Sequence, residues 1–265
     1  MQRTHKLLIP AAALAAMVGT AQAAPLSFVQ QDSFKSTVQD TGATVTATQG
    51  VTLNASSDIL VVTLSSERSV RPITVTYNNQ SLMEADDSGR TGIYYLLNPD
   101  TGAEHNLVVT FADNTSATSQ TVNGYGIAYL TMSSGGDPIA LNAANTASGS
   151  SDGTTVSLTT TVDDAFVVFS GFGNENSGSG HSSDAFTSAP GTLTEFDQGD
   201  IGSGLGGYAY NADVDTGTNT YGFTYTNDKA AYHVAAAAFV IVPEPGSLAL
   251  LAAGGLLMIK RRRRD

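Results

Sequence analysis

The sequence predicts an all-β chain, organised as a single two-sheet β-sandwich of jelly-roll-like form. Three observations predict it. Apolar and polar residues alternate with period two, as in Thr44-Val45-Thr46-Ala47-Thr48 and Ile73-Thr74-Val75-Thr76-Tyr77, the signature of strands with one buried face. Clusters of Asn, Asp, Gly and Pro recur between these segments and supply turns. No interior segment carries an apolar stripe of helical period over a helix-like length.

The strands follow in order. Ile59 to Leu64, Gly92 to Leu97 and Asn106 to Phe111 are rich in β-branched and aromatic residues, which fit a pleated, half-buried surface. Gly126 to Met132, Thr155 to Val162, Ala165 to Ser170, Gly207 to Ala212, Thr220 to Thr226 and Tyr232 to Val242 continue the pattern. Asn78-Asn79, Asn98-Pro99-Asp100-Thr101-Gly102, Gly135-Gly136-Asp137-Pro138, Asp213 to Gly217 and Asn227-Asp228 separate them. Many short strands with frequent turns predict packed sheets, and jelly-roll closure limits exposed edges. Gly171 to Gly207 is expected to be a long functional or mobile loop, because its 37 residues include ten glycines. A short strand at Thr192 to Phe196 interrupts it. Ala143 to Gly153 reads as a second, smaller loop.

The termini read as transport signals. Arg3 and Lys6 precede an apolar run from Leu7 to Val18, and Ala21-Gln22-Ala23 places small residues before a cleavage point at Ala24. This is the layout of a secretory signal peptide over 1–23, with its helical apolar segment. At the other end, Val242-Pro243-Glu244-Pro245 interrupts regular structure, since proline fixes φ and withholds a backbone donor. Gly246 to Ile259 follows without a charge, then Lys260, Arg261, Arg262, Arg263 and Arg264. As a helix the 14-residue apolar segment 246–259 would reach about 21 Å, short of a hydrocarbon core of about 30 Å. The five cations after it form a cytoplasmic-side stop.

This three-part tail, 242–265, resembles a PEP-CTERM sorting signal of Gram-negative bacteria. The resemblance implies processing by a membrane-embedded exosortase, contact with membrane lipid, and delivery to the cell surface or extracellular matrix. It covers under a tenth of the chain and implies nothing about the domain between the signals, 24–241. That domain is similar to a recurrent bacterial extracellular sandwich. Ile73 to Tyr77 with Gln80-Ser81-Leu82, Ile93-Tyr94-Tyr95-Leu96-Leu97-Asn98-Pro99, Gly102 and Val108 to Phe111 carry that similarity, with Phe166 to Phe169 and Ala236 to Phe239. It implies a fold and no activity.

Composition narrows the partners. Between Ala24 and Val242 five cations face 22 acids, leaving −17 where the whole chain carries −12. Such a surface repels nucleic acid and anionic lipid. With no cysteine in the chain there is no disulfide, thiol nucleophile or thiolate metal site.

Candidate chemistry is sparse. Glu195-Phe196-Asp197-Gln198-Gly199-Asp200 echoes the acid-x-acid-x-x-acid motif of laminarinase-type sandwich glycosidases, whose paired carboxylates divide acid and nucleophile roles. Asp200 stands where those enzymes carry Glu, and the chain has no tryptophan for sugar stacking. Asn211-Ala212-Asp213-Val214-Asp215-Thr216-Gly217 resembles part of a calcium loop, with Asp213 and Asp215 as ligands. Gly217 comes one position late for an EF-hand, and a hairpin turn explains the same residues. No other cofactor is expected. Glu84, Asp86 and Asp87 invite the same two readings. His105, His181 and His233 are isolated in sequence, and zinc would need clusters that the sequence lacks. Thr-x-Thr runs do not repeat at a fixed period, so the regular array that ice recognition needs is not supported.

The leading expectation is therefore a non-enzymatic exported protein with an adhesion or scaffold role in exopolysaccharide. The alternative is a carbohydrate-binding module stacking sugars on Tyr94, Tyr95, Tyr208 or Tyr210, half of which alternation with core positions turns inward. A degenerate glycosidase around Glu195 is the third reading. The purified protein is expected to release no sugar from glucans; release that disappears in Glu195→Gln would establish the enzyme instead.

Overall fold

The computed structural model describes residues 25–39, 45–66, 72–111, 122–149, 154–175, 185–189, 193–201, 204–224 and 229–242. Residues 1–23, with Ala21 and Ala23, and the tail from Pro243 through Lys260–Arg264 lie outside them, as do the two helices expected there. Val242 is exposed and follows the last strand. Ala24–Ile241 forms one compact unit.

The described residues are all-β, with every strand pair antiparallel. In the first half the strands are β1 (Ser27–Gln39), β2 (Val45–Thr52), β3 (Ile59–Ser66), β4 (Pro72–Tyr77), β5 (Gln80–Ser81), β6 (Met83–Asp87), β7 (Thr91–Leu97), β8 (Glu104–Phe111) and β9 (Val122–Ser133). The second half holds β10 (Ile139–Gly149), β11 (Thr154–Thr160), β12 (Ala165–Glu175), β13 (Ala185–Ala189), β14 (Thr194–Ile201), β15 (Gly204–Val214), β16 (Gly217–Thr224) and β17 (Lys229–Ile241). They form four sheets, not the two that the sequence predicts. The orders are β1-β9-β3-β7-β6 and β2-β8-β4-β5, then β10-β17-β12-β15-β14 and β11-β16-β13.

The second pair of sheets repeats the first. With β5 set aside, which has no counterpart, replacing β1, β2, β3, β4, β6, β7, β8 and β9 by β10 to β17 in turn converts each first-half order into its second-half counterpart. Val51, Leu53, Val62, Leu64 and Ser65 fall on Val156, Leu158, Val167, Phe169 and Ser170 at one constant offset. The two lengths of chain are joined by Ser134 to Pro138, where Gly135 and Gly136 take φ of 70° and 95°. Those left-handed values favour glycine.

Each half has its own core. Leu60, Val62 and Leu64 of β3 meet Ala47 and Val51 of β2 and Leu107 and Val109 of β8. In the second half Val167 and Phe169 of β12 meet Val156 and Leu158 of β11 and Tyr221 and Phe223 of β16. Alternation then turns Ile59, Val61, Thr63 and Ser65 to the other face of β3, and Phe166, Val168, Ser170 and Phe172 to the other face of β12. All of these are buried as well. They meet across a seam between the two inner sheets, so the order of layers is outer, inner, inner, outer. The seam explains why β3 is buried at every position.

Contacts across the seam are reciprocal. The Ser65 hydroxyl donates to the Gly171 carbonyl at 3.3 Å, and the Ser170 hydroxyl to the Leu64 carbonyl at 3.2 Å. Strand β6 lies against β10 and β17, while β14 lies against β1 and β9. The halves therefore face each other about an approximate two-fold axis, as subunits do in an isologous dimer. Close approach makes glycine necessary at Gly126, where a Cβ would collide with the buried Tyr208 hydroxyl.

Strands β1, β6 and β10 do not stand out in the sequence, and neither do β5 and β13. All five border their sheets. The expected loop Ala143 to Gly153 is largely β10, and the stretch from Gly171 to Gly207 holds the end of β12, then β13, β14 and the start of β15. Inner-sheet edges are protected by irregularity: β1, β6, β10 and β14 each carry a register shift against their neighbour, which opposes pairing with a further strand.

Gly126→Ala is expected to lose about 1–3 kcal/mol of stability through overpacking. Chemical denaturation of the variant would check it, and an unchanged midpoint would contradict the Tyr208 packing.

Candidate functional site

Two of the ionisable residues that suggest chemistry in the sequence, Asp197 and Asp87, fasten the fold. Asp197 pairs with Lys35 of β1 at 3.1 Å, and the same ammonium donates to the Gln198 carbonyl at 2.7 Å. The β14 carboxylate thus joins the neighbouring edges of the two inner sheets. A register shift between Glu195 and Asp197 breaks the simple alternation that would set both carboxylates on one face. Glu195 is exposed, and the side chain of Asp200 lies outside the described residues.

Asp213 and Asp215 are exposed at the connection from β15 to β16. These strands lie in different sheets, so the connection is a corner between layers and not the expected hairpin. Thr160 latches it by donating to the carbonyls of Asp215 at 2.8 Å and Gly217 at 3.2 Å. The Thr216 amide donates to Asp163 at 2.7 Å. Hydrogen bonds from Thr216 hold the Asp163 carboxyl below its ordinary value. Among the described residues no three His, Asp or Glu side chains gather as a metal would require.

Asp87 closes the β6–β7 turn. Its carboxylate accepts from the Gly89 amide and the Tyr94 hydroxyl, each at 2.5 Å. Asp58 fastens the junction of the halves by accepting from the Ser134 amide at 2.7 Å, the Ser133 hydroxyl at 2.9 Å and the Ser134 hydroxyl at 3.2 Å. Burial raises its proton affinity, but these donors outweigh that and hold its pKa below the ordinary value. A cleft of about 270 Å³ opens here, lined by Asp58, Asn98, Asp137 and Ile139 among others.

The four candidate sugar-stacking tyrosines point inward. Tyr94 and Tyr208 are buried. Tyr95 packs edge-on against Phe239 at 5.3 Å, and Tyr210 stacks between Phe28 and Phe166 at 5.2 Å from each. None is an exposed platform. Burial pushes the Tyr208 hydroxyl well above its ordinary value; Ser65 beside it acts the other way, and Asp197 adds to the rise. His105 meets Tyr77 edge-on at 5.7 Å, and His181 lies outside the described residues.

What sequence reasoning missed is the pair of outer sheet faces. In the first half, register sets Thr46, Thr110 and Thr74 on one rung, and Thr48, Val108, Thr76 and Ser81 on the next. In the second, Thr159 faces Thr218, and Ser157 faces Thr220. These positions alternate with core residues and turn away from the core. Hydroxyl pairs bridge strands at 3.4 Å (Thr46 with Thr110) and 2.9 Å (Thr159 with Thr218). Among the outward positions of β2, β4, β5, β8, β11 and β16, Glu104 carries the single charge. The available signal was the set of Thr-x-Thr runs. Their regularity lies across strands, so no period along the sequence reveals it.

No protein-family model matches the chain, and no curated protein matches it.

His233 lies in the seam, where burial first, and then Arg90, lower its pKa to about 4. The unfolded imidazole binds its proton near the ordinary 6.5. Stability linked to His233 is therefore complete above about pH 6.5 and falls as the pH drops toward 4. Denaturation midpoints across that range should show the loss, and His233→Gln should flatten it.

Proposed function

We propose that this protein is an exported, non-enzymatic scaffold of the extracellular matrix, sorted by its PEP-CTERM-like tail. Val242-Pro243-Glu244-Pro245 with the apolar segment 246–259 and the basic run 260–264 is the observation that carries the delivery reading. In it, the 1–23 signal directs export and an exosortase-type enzyme processes the tail, with the membrane as a transient or lasting station. Each half of the intervening chain is read as one jelly-roll-like sandwich, a reading supported by the repeated strand orders.

A scaffold role agrees with the way the ionisable groups are used. Asp58, Asp87 and Asp197 fasten turns and sheet edges. The carbohydrate-binding alternative moves from tyrosines to the hydroxyl-bearing outer faces. Exopolysaccharide is the proposed partner in both forms.

Expression in a host with an exosortase, followed by fractionation, tests the sorting. The intact protein is expected at the surface or in the medium. Deletion of 243–265 should change that distribution, and an unchanged distribution would remove the sorting role.

A further inference from the structure

The chain is strongly acidic, yet among the described residues the outward positions of the two outer sheets hold a single acid, Glu104. Apart from Glu104, the outward positions identified above are uncharged. Thr46, Thr74 and Thr110 form a rung of hydroxyls on one face, and Thr159 with Thr218 and Ser157 with Thr220 form rungs on the other. Neighbouring rungs and strands repeat donors and acceptors at roughly 5–7 Å across the sheet. The layer order places these faces on opposite sides of the molecule.

We infer that each outer face binds an uncharged polysaccharide chain, so that one molecule links two chains. The inference rests on the matrix-scaffold reading and names the class of polymer. Hydroxyl groups both donate and accept, so they match the hydroxyls of a neutral sugar and leave no charge to desolvate. A polyanion would find no cation among the described outward positions of either face and would meet repulsion from a domain at −17. A further β-strand is disfavoured at the inner sheets, since all four of their edge strands carry register shifts. Each hydroxyl contributes little by itself, so binding draws on many rungs along an extended chain. The internal repeat supplies valency: a second face on the same compact unit raises avidity without a new kind of contact.

The test uses protein purified from the exporting cells, with dextran and hydroxyethylcellulose as neutral probes and alginate as the anionic one. Affinity electrophoresis reads binding, and viscosity of the mixtures reads cross-linking. Thr110→Glu and Thr220→Glu each charge the centre of one face; Thr110→Val and Thr220→Val remove the hydroxyl and keep the shape. Thermal unfolding of every variant establishes that it is folded, and the valine pair replaces a glutamate variant that is not. Wild-type protein is expected to be retarded by at least one neutral polymer, to thicken it, and to ignore alginate. Each single variant should keep binding but lose thickening. The double variant should lose affinity by about tenfold or more, the worth of at least one net hydrogen bond. Failure to bind either neutral polymer, preference for alginate, or a double variant that binds like wild type would each overturn the inference. None of these results bears on delivery, which fractionation tests separately.

Discussion

The structure depends on the seam between the two inner sheets. Burial holds it and hydrogen bonds align it, as the magnitudes show. A fully buried Val, Leu, Ile or Phe contributes about 1.5–3 kcal/mol. Ile59, Val61, Ile93, Phe166, Val168 and Phe239 all lie on the seam faces and are fully buried. A net hydrogen bond contributes about 0.5–1.5 kcal/mol, and those of Ser65 and Ser170 join particular carbonyls of the opposite half. Apolar packing tolerates a sliding contact, whereas paired donors and acceptors do not. The serines therefore set the register of one half upon the other. The short contact between Thr91 and Ser170 belongs to the same set.

That seam also accounts for the chain's use of small residues. Gly126 admits the Tyr208 hydroxyl, and a Cβ at Gly206 would lie 3.2 Å from that of Ser65. Ala235 and Ala237 continue the thin surface along β17. Two sheets covered on both faces need less side-chain volume wherever large partners such as Phe172 and Tyr208 enter from the opposite side. The outer sheets have one covered face each, and β11 shows it in the strict alternation of Thr154–Thr160, buried at every second position. Function follows the same division in our reading, with structure concentrated inside and partner contact outside.

Much of the fold was legible in particular residues. Ile59 to Leu64 and Ile73 to Tyr77 read as strands and are strands, and Thr155 to Val162 is a strand as far as Thr160. Asn78 and Asn79 read as a turn and take φ of 47° and 61°, suiting the tight hairpin between β4 and β5. The missed strands are polar edges such as Met83–Asp87, whose sequence MEADD carries no burial signal. The candidate site was less legible. Glu195 and Asp197 looked like a pair because alternation is a local rule, and a bulge between them set that rule aside. Half of Tyr94, Tyr95, Tyr208 and Tyr210 looked available because one sheet face was taken to be wet.

By itself the sequence determined the secondary structure of the core strands and the acidity of the domain, and it carries the terminal motifs on which the proposed delivery rests. These properties are written in neighbouring residues: period-two alternation, charge and short motifs. Only the tertiary structure decided that there are four sheets, that the second half repeats the first, and that threonines distant in sequence share a rung. The physical reason is that alternation reports whether a face is covered and not what covers it. A strand buried on both faces, such as β3, differs from its neighbours only through a partner more than 100 residues away, as the Ser65 bond to Gly171 shows across 106 positions.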